Sequence, residues 1–182
     1  MNGVDDIKIL DATCGAKQMW YQKNHPFVTY MDKRKGKVFY QYPNSNKKYK
    51  LKFNPDIQCE WEDMPFPDEY FDMVIFDPPH ILQKKESGCL AMKYSVLNPK
   101  TWKVDLKVGI NQCFRVLKKN GTFILKWDEC CMDLSDIIKL FPYPPLFGTR
   151  TGKNNKNIWL LFLKHNCNGR LEEYIDNNGG VK

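Results

Sequence analysis

The most informative stretch of this 182-residue sequence is Asp72-Met73-Val74-Ile75-Phe76-Asp77-Pro78-Pro79-His80. Its apolar run has the length and the β-rich composition of a buried strand. The two prolines have no N–H to donate to a ladder, so we expect the strand to stop at Asp77. In open α/β sheets ligands bind at the carboxyl edge, and this acid would lie there together with a rigid loop and the ring of His80.

Two earlier predicted strands also end in aspartate, at Asp11 and Asp32. Asp32 follows Asp11 by 21 residues, and in nucleotide-binding βαβ units an acid about 20 residues after the glycine turn meets the ribose hydroxyls. No complete GxGxxG is present, and Gly15 is the only glycine between Asp11 and Lys35. A helix over residues 18–23 would connect the two strands. An ordinary β–α connection without a ligand is the alternative interpretation.

Residues 33–52 are strongly basic and contain no acidic residue. The span predicts either a β-hairpin or an irregular loop. Lysines neutralise phosphates and the interleaved Tyr40, Tyr42 and Tyr49 offer stacking faces for bases, so we favour contact with nucleic acid over a merely solvated loop. The basic residues are Lys33, Arg34, Lys35, Lys37, Lys47, Lys48, Lys50 and Lys52.

The rest of the chain predicts an α/β order with a β-hairpin at its end. A third strand leads to Asp63, and a loop or lid over 81–104 carries Lys84 and Lys85. The third strand is predicted at 57–61, and the further predicted elements are a helix at 105–119 ending in Lys118 to Gly121, a strand at 122–127, a helix at 134–141, strands at 146–150 and 157–163, and a frayed tail after 165. We therefore predict seven strands in one domain over residues 1–165, with 33–56 and 81–104 as substrate-contact loops.

Composition narrows the class of protein. The net charge of +7 favours an anionic partner, and 42% hydrophobic residues fit a folded domain. Seven cysteines without a CxxC pair or zinc-type spacing indicate reduced thiols, no metal and a cytoplasmic protein. We find no signal peptide and no apolar stretch long enough to cross a membrane.

From about residue 5 to 165 the chain resembles the class I S-adenosylmethionine-dependent methyltransferases, in the order of its elements and in two motifs. Asp77-Pro78-Pro79-His80 is similar to the (Asp/Asn/Ser)-Pro-Pro-(Tyr/Phe/Trp) signature of amino-methyltransferases that act on adenine N6 or cytosine N4. Asp11-Ala12-Thr13-Cys14-Gly15 looks like the Asp-Pro-Phe-Cys-Gly turn of the same enzymes, which lies under the cofactor. Two departures are Lys17, where many relatives keep glycine, and His80, which replaces the usual aromatic residue.

The resemblance implies a Rossmann-like fold, with a seven-stranded, mostly parallel sheet, a terminal antiparallel hairpin and helices on both faces. It implies S-adenosylmethionine as cofactor, with Asp32 at the ribose and Asp63 at the adenine. Lys33, Arg34, Lys35, Lys84 and Lys85 would contact the substrate. The small size predicts relaxed sequence preference, or a partner or second copy that supplies specificity, as in compact phage-like methyltransferases.

The chemistry of an exocyclic base amine gives an independent reason for this assignment. Its lone pair is delocalised into the ring, and hydrogen bonds to the Asp77 carboxylate and the Pro78 carbonyl would stabilise the positive charge that develops during attack. His80 could stack on a flipped base. We favour adenine N6 in DNA as the target. The alternatives are an RNA base, a protein glutamine, or a catalytically silent module that binds S-adenosylmethionine or nucleic acid.

Overall fold

The structure, a computed structural model, describes residues 7–83 and 88–165. The expected tail after 165 and the lysines at positions 84 and 85 therefore lie outside the described residues. Within these described residues the chain forms nine strands: β1 (Ile9–Asp11), β2 (Val28–Asp32), β3 (Gly36–Gln41), β4 (Lys48–Phe53), β5 (Ile57–Gln58), β6 (Phe71–Phe76), β7 (Leu117–Asp128), β8 (Phe147–Thr151) and β9 (Asn157–Leu163).

Seven of these strands form one sheet in the order β5-β2-β1-β6-β7-β9-β8. The pairs from β5 to β7 are parallel, whereas β9 is antiparallel to both β7 and β8. This arrangement confirms the predicted mostly parallel sheet with a terminal antiparallel hairpin. Among the described residues β3 and β4 form a two-stranded sheet of their own, so the basic span is a separate hairpin, the first of the two predicted alternatives.

The described part of the chain also contains three α-helices and two short 3₁₀ helices, which are packed around the sheet: α1 (Cys89–Tyr94), α2 (Trp102–Val116), α3 (Leu134–Ile138), Trp61–Asp63 and Lys153–Asn155. α2 is amphipathic, and its apolar face buries Leu106, Ile110 and Phe114 against the sheet. A layer of phenylalanines, including Phe141 stacked on Phe162 at 4.3 Å between centroids, fills the core below β7 and β9.

The helix predicted over residues 18–23 is wrong, because the chain makes consecutive turns there. Four of its six residues are exposed, so the segment has no apolar face to bury. The side chain of Trp20 is directed towards β1, because its indole Nε1 donates to Asp11 Oδ2 at 2.7 Å. Lys17, with φ of 55°, also lies outside helical backbone space just before the segment.

Several predicted boundaries also differ. α2 begins three residues before the predicted position and ends at Val116, because Leu117 already pairs with Phe71 as β7. The expected helix end at 118–121 is therefore strand. The third strand is shorter than predicted and Trp61 belongs to a 3₁₀ helix, while α3 ends at Ile138. The region 81–104 contains α1, the start of α2 and a bridge between Leu82 and Leu97 rather than only a loop.

The topology brings the predicted motifs together at the carboxyl edge of the sheet. β1 lies between β2 and β6, and β6 lies beside β7. The pairing of Phe76 with Leu125 places the next residues, Asp77 and Lys126, side by side at that edge. Within the described ranges, no helix has both the length and the apolar character needed to span a membrane.

Candidate functional site

The turn after β1 is held between its two neighbouring strands. Ala12 N donates to Ile75 O and Cys14 N donates to Met31 O, both at 2.9 Å. Gly15 follows with φ of 53°, in the left-handed region that favours glycine. Its N–H donates to Asp32 Oδ2 at 2.7 Å, so the turn is fastened directly to the acid at the end of β2.

Lys17 also has a left-handed backbone, with φ of 55°. Its side chain is buried, with Nζ 3.7 Å from the centroid of the Tyr30 ring and 4.0 Å from Asp56 Oδ1. The turn thus keeps the conformation that glycine would permit, and the lysine is stabilised by a cation–π contact and an ion pair. The departure from glycine at this position leaves the turn intact.

Asp11 is completely buried behind the turn. Its two carboxylate oxygens accept hydrogen bonds from Trp20 Nε1 at 2.7 Å and from Thr13 N at 3.3 Å. Burial raises the pKa of Asp11 from 3.8 to about 7, although the hydrogen bonds from Trp20 and Thr13 oppose the shift. The carboxyl group therefore supports the turn from behind rather than facing a cavity.

Asp32 is also buried, and the chain itself supplies its partners. Besides Gly15, the backbone N of Arg34 donates to Oδ1 at 2.8 Å, and the guanidinium Nε donates to the same oxygen at 3.1 Å. The guanidinium also lies 4.2 Å from the Phe53 ring centroid and donates to Lys93 O at 3.3 Å. Arg34 thus links Asp32 to the β3–β4 hairpin and to α1, and the space beside Asp32 is only about 30 Å³.

Asp77 directly follows β6, at the same carboxyl edge of the sheet at which Asp32 ends β2. Its backbone N donates to Thr13 Oγ1 at 2.8 Å, and Lys126 Nζ donates to its Oδ2 at 2.7 Å. Burial raises the pKa of Asp77 above its ordinary value, and the charge of Lys126 opposes that rise. Lys126 therefore favours the ionised carboxylate in a site that would otherwise favour the neutral acid.

A cavity of about 280 Å³ connects the turn after β1 with the Asp77-Pro78-Pro79-His80 motif. Its lining includes Thr13 to Ala16, the whole motif with Lys126, and Lys93 and Tyr94 of α1. The His80 and Tyr94 rings lie 5.9 Å apart at 41°. Burial lowers the pKa of His80, which favours the neutral imidazole.

The other predicted site residues lie outside this cavity. Asp63 is exposed at the end of its 3₁₀ helix, Lys33 lies 5.9 Å from the Trp61 ring, and Lys35 is exposed on the surface. Lys84 and Lys85 fall outside the described residues. Beside Asp63, the atoms Trp61 Nε1 and Glu62 Oε2 are buried without a hydrogen-bond partner among the residues described.

Sequence reasoning missed Lys126, Lys93 and Tyr94. Lys126 could have been found from the sequence. It lies near the carboxyl end of the strand predicted at 122–127, just as Asp77 lies at the carboxyl end of the strand before it. α1 gave no comparable signal, since its six residues are short of a recognisable helical period. The three tyrosines of the basic span pack on one another, with Tyr40 and Tyr49 stacked at 5.3 Å, rather than standing free for bases.

No protein-family model and no curated protein sequence matches this chain. Among solved structures it is similar to a protein from Pyrococcus horikoshii OT3 (14% identity, TM-score 0.57, covering 86% of this chain and 81% of that one). A SAM-dependent methyltransferase from Methanosarcina mazei has 12% identity and a TM-score of 0.53, over 88% of this chain and 93% of that one. A chain from the complex between the Haloferax volcanii Trm112 methyltransferase activator and a proposed methyltransferase has 9% identity and a TM-score of 0.51, over 88% and 83%. The fold is thus the Rossmann-like fold of class I methyltransferases.

Proposed function

We propose that this protein is an S-adenosylmethionine-dependent methyltransferase that acts on an exocyclic amine of a nucleic-acid base, with adenine N6 in DNA as the favoured target. The observation that carries the proposal is the position of Asp77, Pro78 and Pro79. Together with the turn from Thr13 to Ala16 they line one cavity at the carboxyl edge of a methyltransferase fold. A methyl donor at the turn and an amine at the motif would meet within this cavity.

The residues around the turn fit the cofactor. The backbone of Ala12 to Gly15 would lie under it and Asp32 would accept from the ribose hydroxyls, with Trp61 lining the small space beside Asp32. When bound, S-adenosylmethionine supplies an activated sulfonium methyl group, so the protein needs to position and stabilise rather than to activate. Arg34 must yield part of its contact with Asp32 for the ribose to enter.

The amine is recognised by acceptors that are already fixed in place. One oxygen of Asp77 is held by Lys126, which leaves the other oxygen and the Pro78 carbonyl for the amine protons. Both acceptors stabilise positive charge as the nitrogen attacks, and a preorganised acceptor requires no rearrangement at that moment. Lys126 contributes by keeping Asp77 ionised. His80 and Tyr94 provide flat rings for the base.

The β3–β4 hairpin supports nucleic acid as the substrate. Strand alternation places Lys37, Lys48, Lys50 and Lys52 on one exposed face around Phe39, whose side chain is 61% exposed. Next to this face, a groove of about 400 Å³ is lined by Lys50 and Lys52 and reaches Ala16 and Gln18, which also line the main cavity. A single strand could thus lie along cationic side chains while one base enters the site.

A catalytically silent binding module is the second candidate, because Asp32 and Asp77 are each paired with a cation of the chain itself. Transfer of labelled methyl to DNA, RNA and protein pools, followed by nucleoside analysis, tests both candidates. We expect N6-methyladenine in the DNA pool. Label confined to protein would contradict the nucleic-acid proposal, and cofactor binding without transfer to any pool would favour the silent module.

Binding to a single-stranded oligonucleotide at several salt concentrations tests the hairpin face separately. Lys50→Gln should weaken binding and reduce the slope of log K against log salt by about 0.7, the value for one released counterion on single strands. Lys119→Gln is the matched control, because it removes an equal charge from an exposed position near the opposite edge of the sheet. Equal effects of the two substitutions would exclude a specific role for the hairpin face.

A further inference from the structure

We propose that His80, Asp128 and Cys130 form a binding site for a zinc-class divalent cation beside the candidate amine site. Each residue offers one ligand atom, an imidazole nitrogen, a carboxylate oxygen or a thiol sulfur, and these atoms all lie within 4.8 Å of one another. His80 and Asp128 are half-buried and Cys130 is exposed, so a cation can enter from solvent.

The fold brings these residues together from distant parts of the chain. His80 follows β6 and Asp128 ends β7, its neighbour in the sheet. The loop after β7 is anchored by Trp127, whose Nε1 donates to Met132 O at 3.3 Å. Cys130, 50 positions from His80, donates from its thiol to the His80 carbonyl at 3.2 Å. No short Cys/His spacing marks the site, which explains why the sequence predicted no metal.

The chemistry of the three ligands favours zinc over magnesium or calcium. Nitrogen, oxygen and sulfur ligands together are typical of zinc sites, whereas the harder cations take oxygen alone. Tetrahedral zinc with bonds of about 2.0–2.3 Å requires ligand atoms about 3.3–3.8 Å apart. The present separations are all within 4.8 Å and so exceed that range by no more than about 1.5 Å, a difference that side-chain rotation can close.

Binding is a simple exchange of ligands. The S–H bond of Cys130 breaks, a sulfur–zinc bond forms, and the proton passes to solvent, with no change in oxidation state. Three protein ligands leave a fourth position for water. A metal bond lies in the plane of the His80 ring and covers neither face, so the cation would fix that plane without itself preventing the ring from stacking on a base.

Cobalt(II) is a sensitive probe for this site, because a thiolate ligand gives it a near-ultraviolet charge-transfer band. We expect one equivalent of cobalt to produce this band in the purified protein and one equivalent of zinc to displace it. Cys130→Ser should remove the band, and Asp128→Asn should weaken cobalt binding by at least about tenfold, the lower range for supporting ligands. Circular dichroism confirms that both variants are folded.

Cys131→Ser is the matched control, because its sulfur lies 3.6 Å from that of Cys130 but outside the proposed ligand set. It should retain the cobalt band and the affinity. Loss of the band in Cys131→Ser with retention in Cys130→Ser would overturn the assignment, as would failure of the original protein to bind one equivalent of either metal. The assay contains neither cofactor nor substrate, so its outcome is independent of the proposed methyl transfer.

Discussion

Asp32 and Asp77 stand at the ends of parallel strands of one sheet, yet their surroundings differ. Asp32 is 5% exposed and accepts from Gly15 N and from both the backbone and the guanidinium of Arg34. Asp77 is 23% exposed and pairs with Lys126 beside a cavity about nine times as large, about 280 Å³ against about 30 Å³. The half of the candidate site that we propose for the ribose is thus closed by the chain, and the half that we propose for the amine is open.

This difference indicates where ligand binding must rearrange the protein. A ribose has to exchange with charge-assisted hydrogen bonds at Asp32, each of which is stronger than a neutral one. An amine finds a free oxygen on Asp77 without displacing Lys126. The proposed amine site around Asp77 is therefore already arranged for its ligand, whereas side chains around Asp32 would have to move for the proposed cofactor to bind.

The largest effect is expected at the open half. Asp77→Ala should lower the rate of methyl transfer by about a thousandfold or more, because it removes an acceptor that faces charge developing in the transition state. Affinity for S-adenosylmethionine, measured by calorimetry, should be nearly unchanged. Asp72→Ala is the control, since Asp72 pairs with Lys118 near the other end of the same strand. Equal loss of binding and transfer in Asp77→Ala would show that Asp77 serves the cofactor instead.

A smaller effect is expected behind the closed half, at Asp11. With its pKa raised to about 7, Asp11 keeps its proton in the folded protein between about pH 4 and 7 while the unfolded chain loses it. The original protein should therefore lose stability as pH rises through this window, by on the order of 2–4 kcal/mol in total. Asp11→Asn should be free of this decline, as measured by denaturant unfolding at several pH values. Parallel stability curves for the two proteins would contradict the buried, protonated state.

Arg34→Met should open the closed half. In the ligand-free protein this substitution removes the Arg34–Asp32 ion pair, which the ribose would otherwise have to break. Affinity for S-adenosylmethionine should therefore rise by about tenfold, or ~1.4 kcal/mol. Arg34→Lys, which can still pair with Asp32, should show less of the gain. Weaker cofactor binding in Arg34→Met would mean that the guanidinium contacts the bound cofactor instead of blocking its access to Asp32.

Lys126→Met should act mainly at acidic pH. Without the lysine charge the pKa of Asp77 rises further, so a larger share of the carboxyl is protonated and unable to accept the amine hydrogen bond. The acidic limb of the rate profile should move to higher pH, with activity approaching that of the original protein at alkaline pH. A uniform loss across all pH values would point to direct contact between Lys126 and the substrate.

The sequence predicted most of the sheet, because its strands end at prolines and aspartates. β2 and β9 were predicted at residues 28–32 and 157–163, which are their bounds in the structure. The segment 118–121 resembles a helix end, but pairing of Leu117 with Phe71 overrode that local preference. Local patterns therefore fail where a tertiary partner competes for the same backbone.

The candidate site was predictable only in its backbone-determined part. The Asp77 motif and the Gly15 turn follow from strand ends and glycine conformation. The pairing of Arg34 with Asp32 depends on where a long side chain folds back, and Cys130 meets His80 only because β6 and β7 are neighbours. Such contacts are fixed by the sheet order and not by spacing along the chain.

The β3–β4 hairpin lies between β2 and β5, two neighbouring strands of the main sheet, and contributes no strand to that sheet. The strands that flank the hairpin in sequence are adjacent without it, because Met31 of β2 pairs with Ile57 of β5 and Asp32 pairs with Gln58. Among its strand residues only Phe53 is buried. The exposed face of the hairpin can therefore change while the register of the seven-stranded sheet is kept, whereas Phe53 and the contact of Cys89 with Gln41 attach the hairpin to the rest of the protein. Substitutions on this face would then alter the proposed contact with nucleic acid without a new fold having to arise.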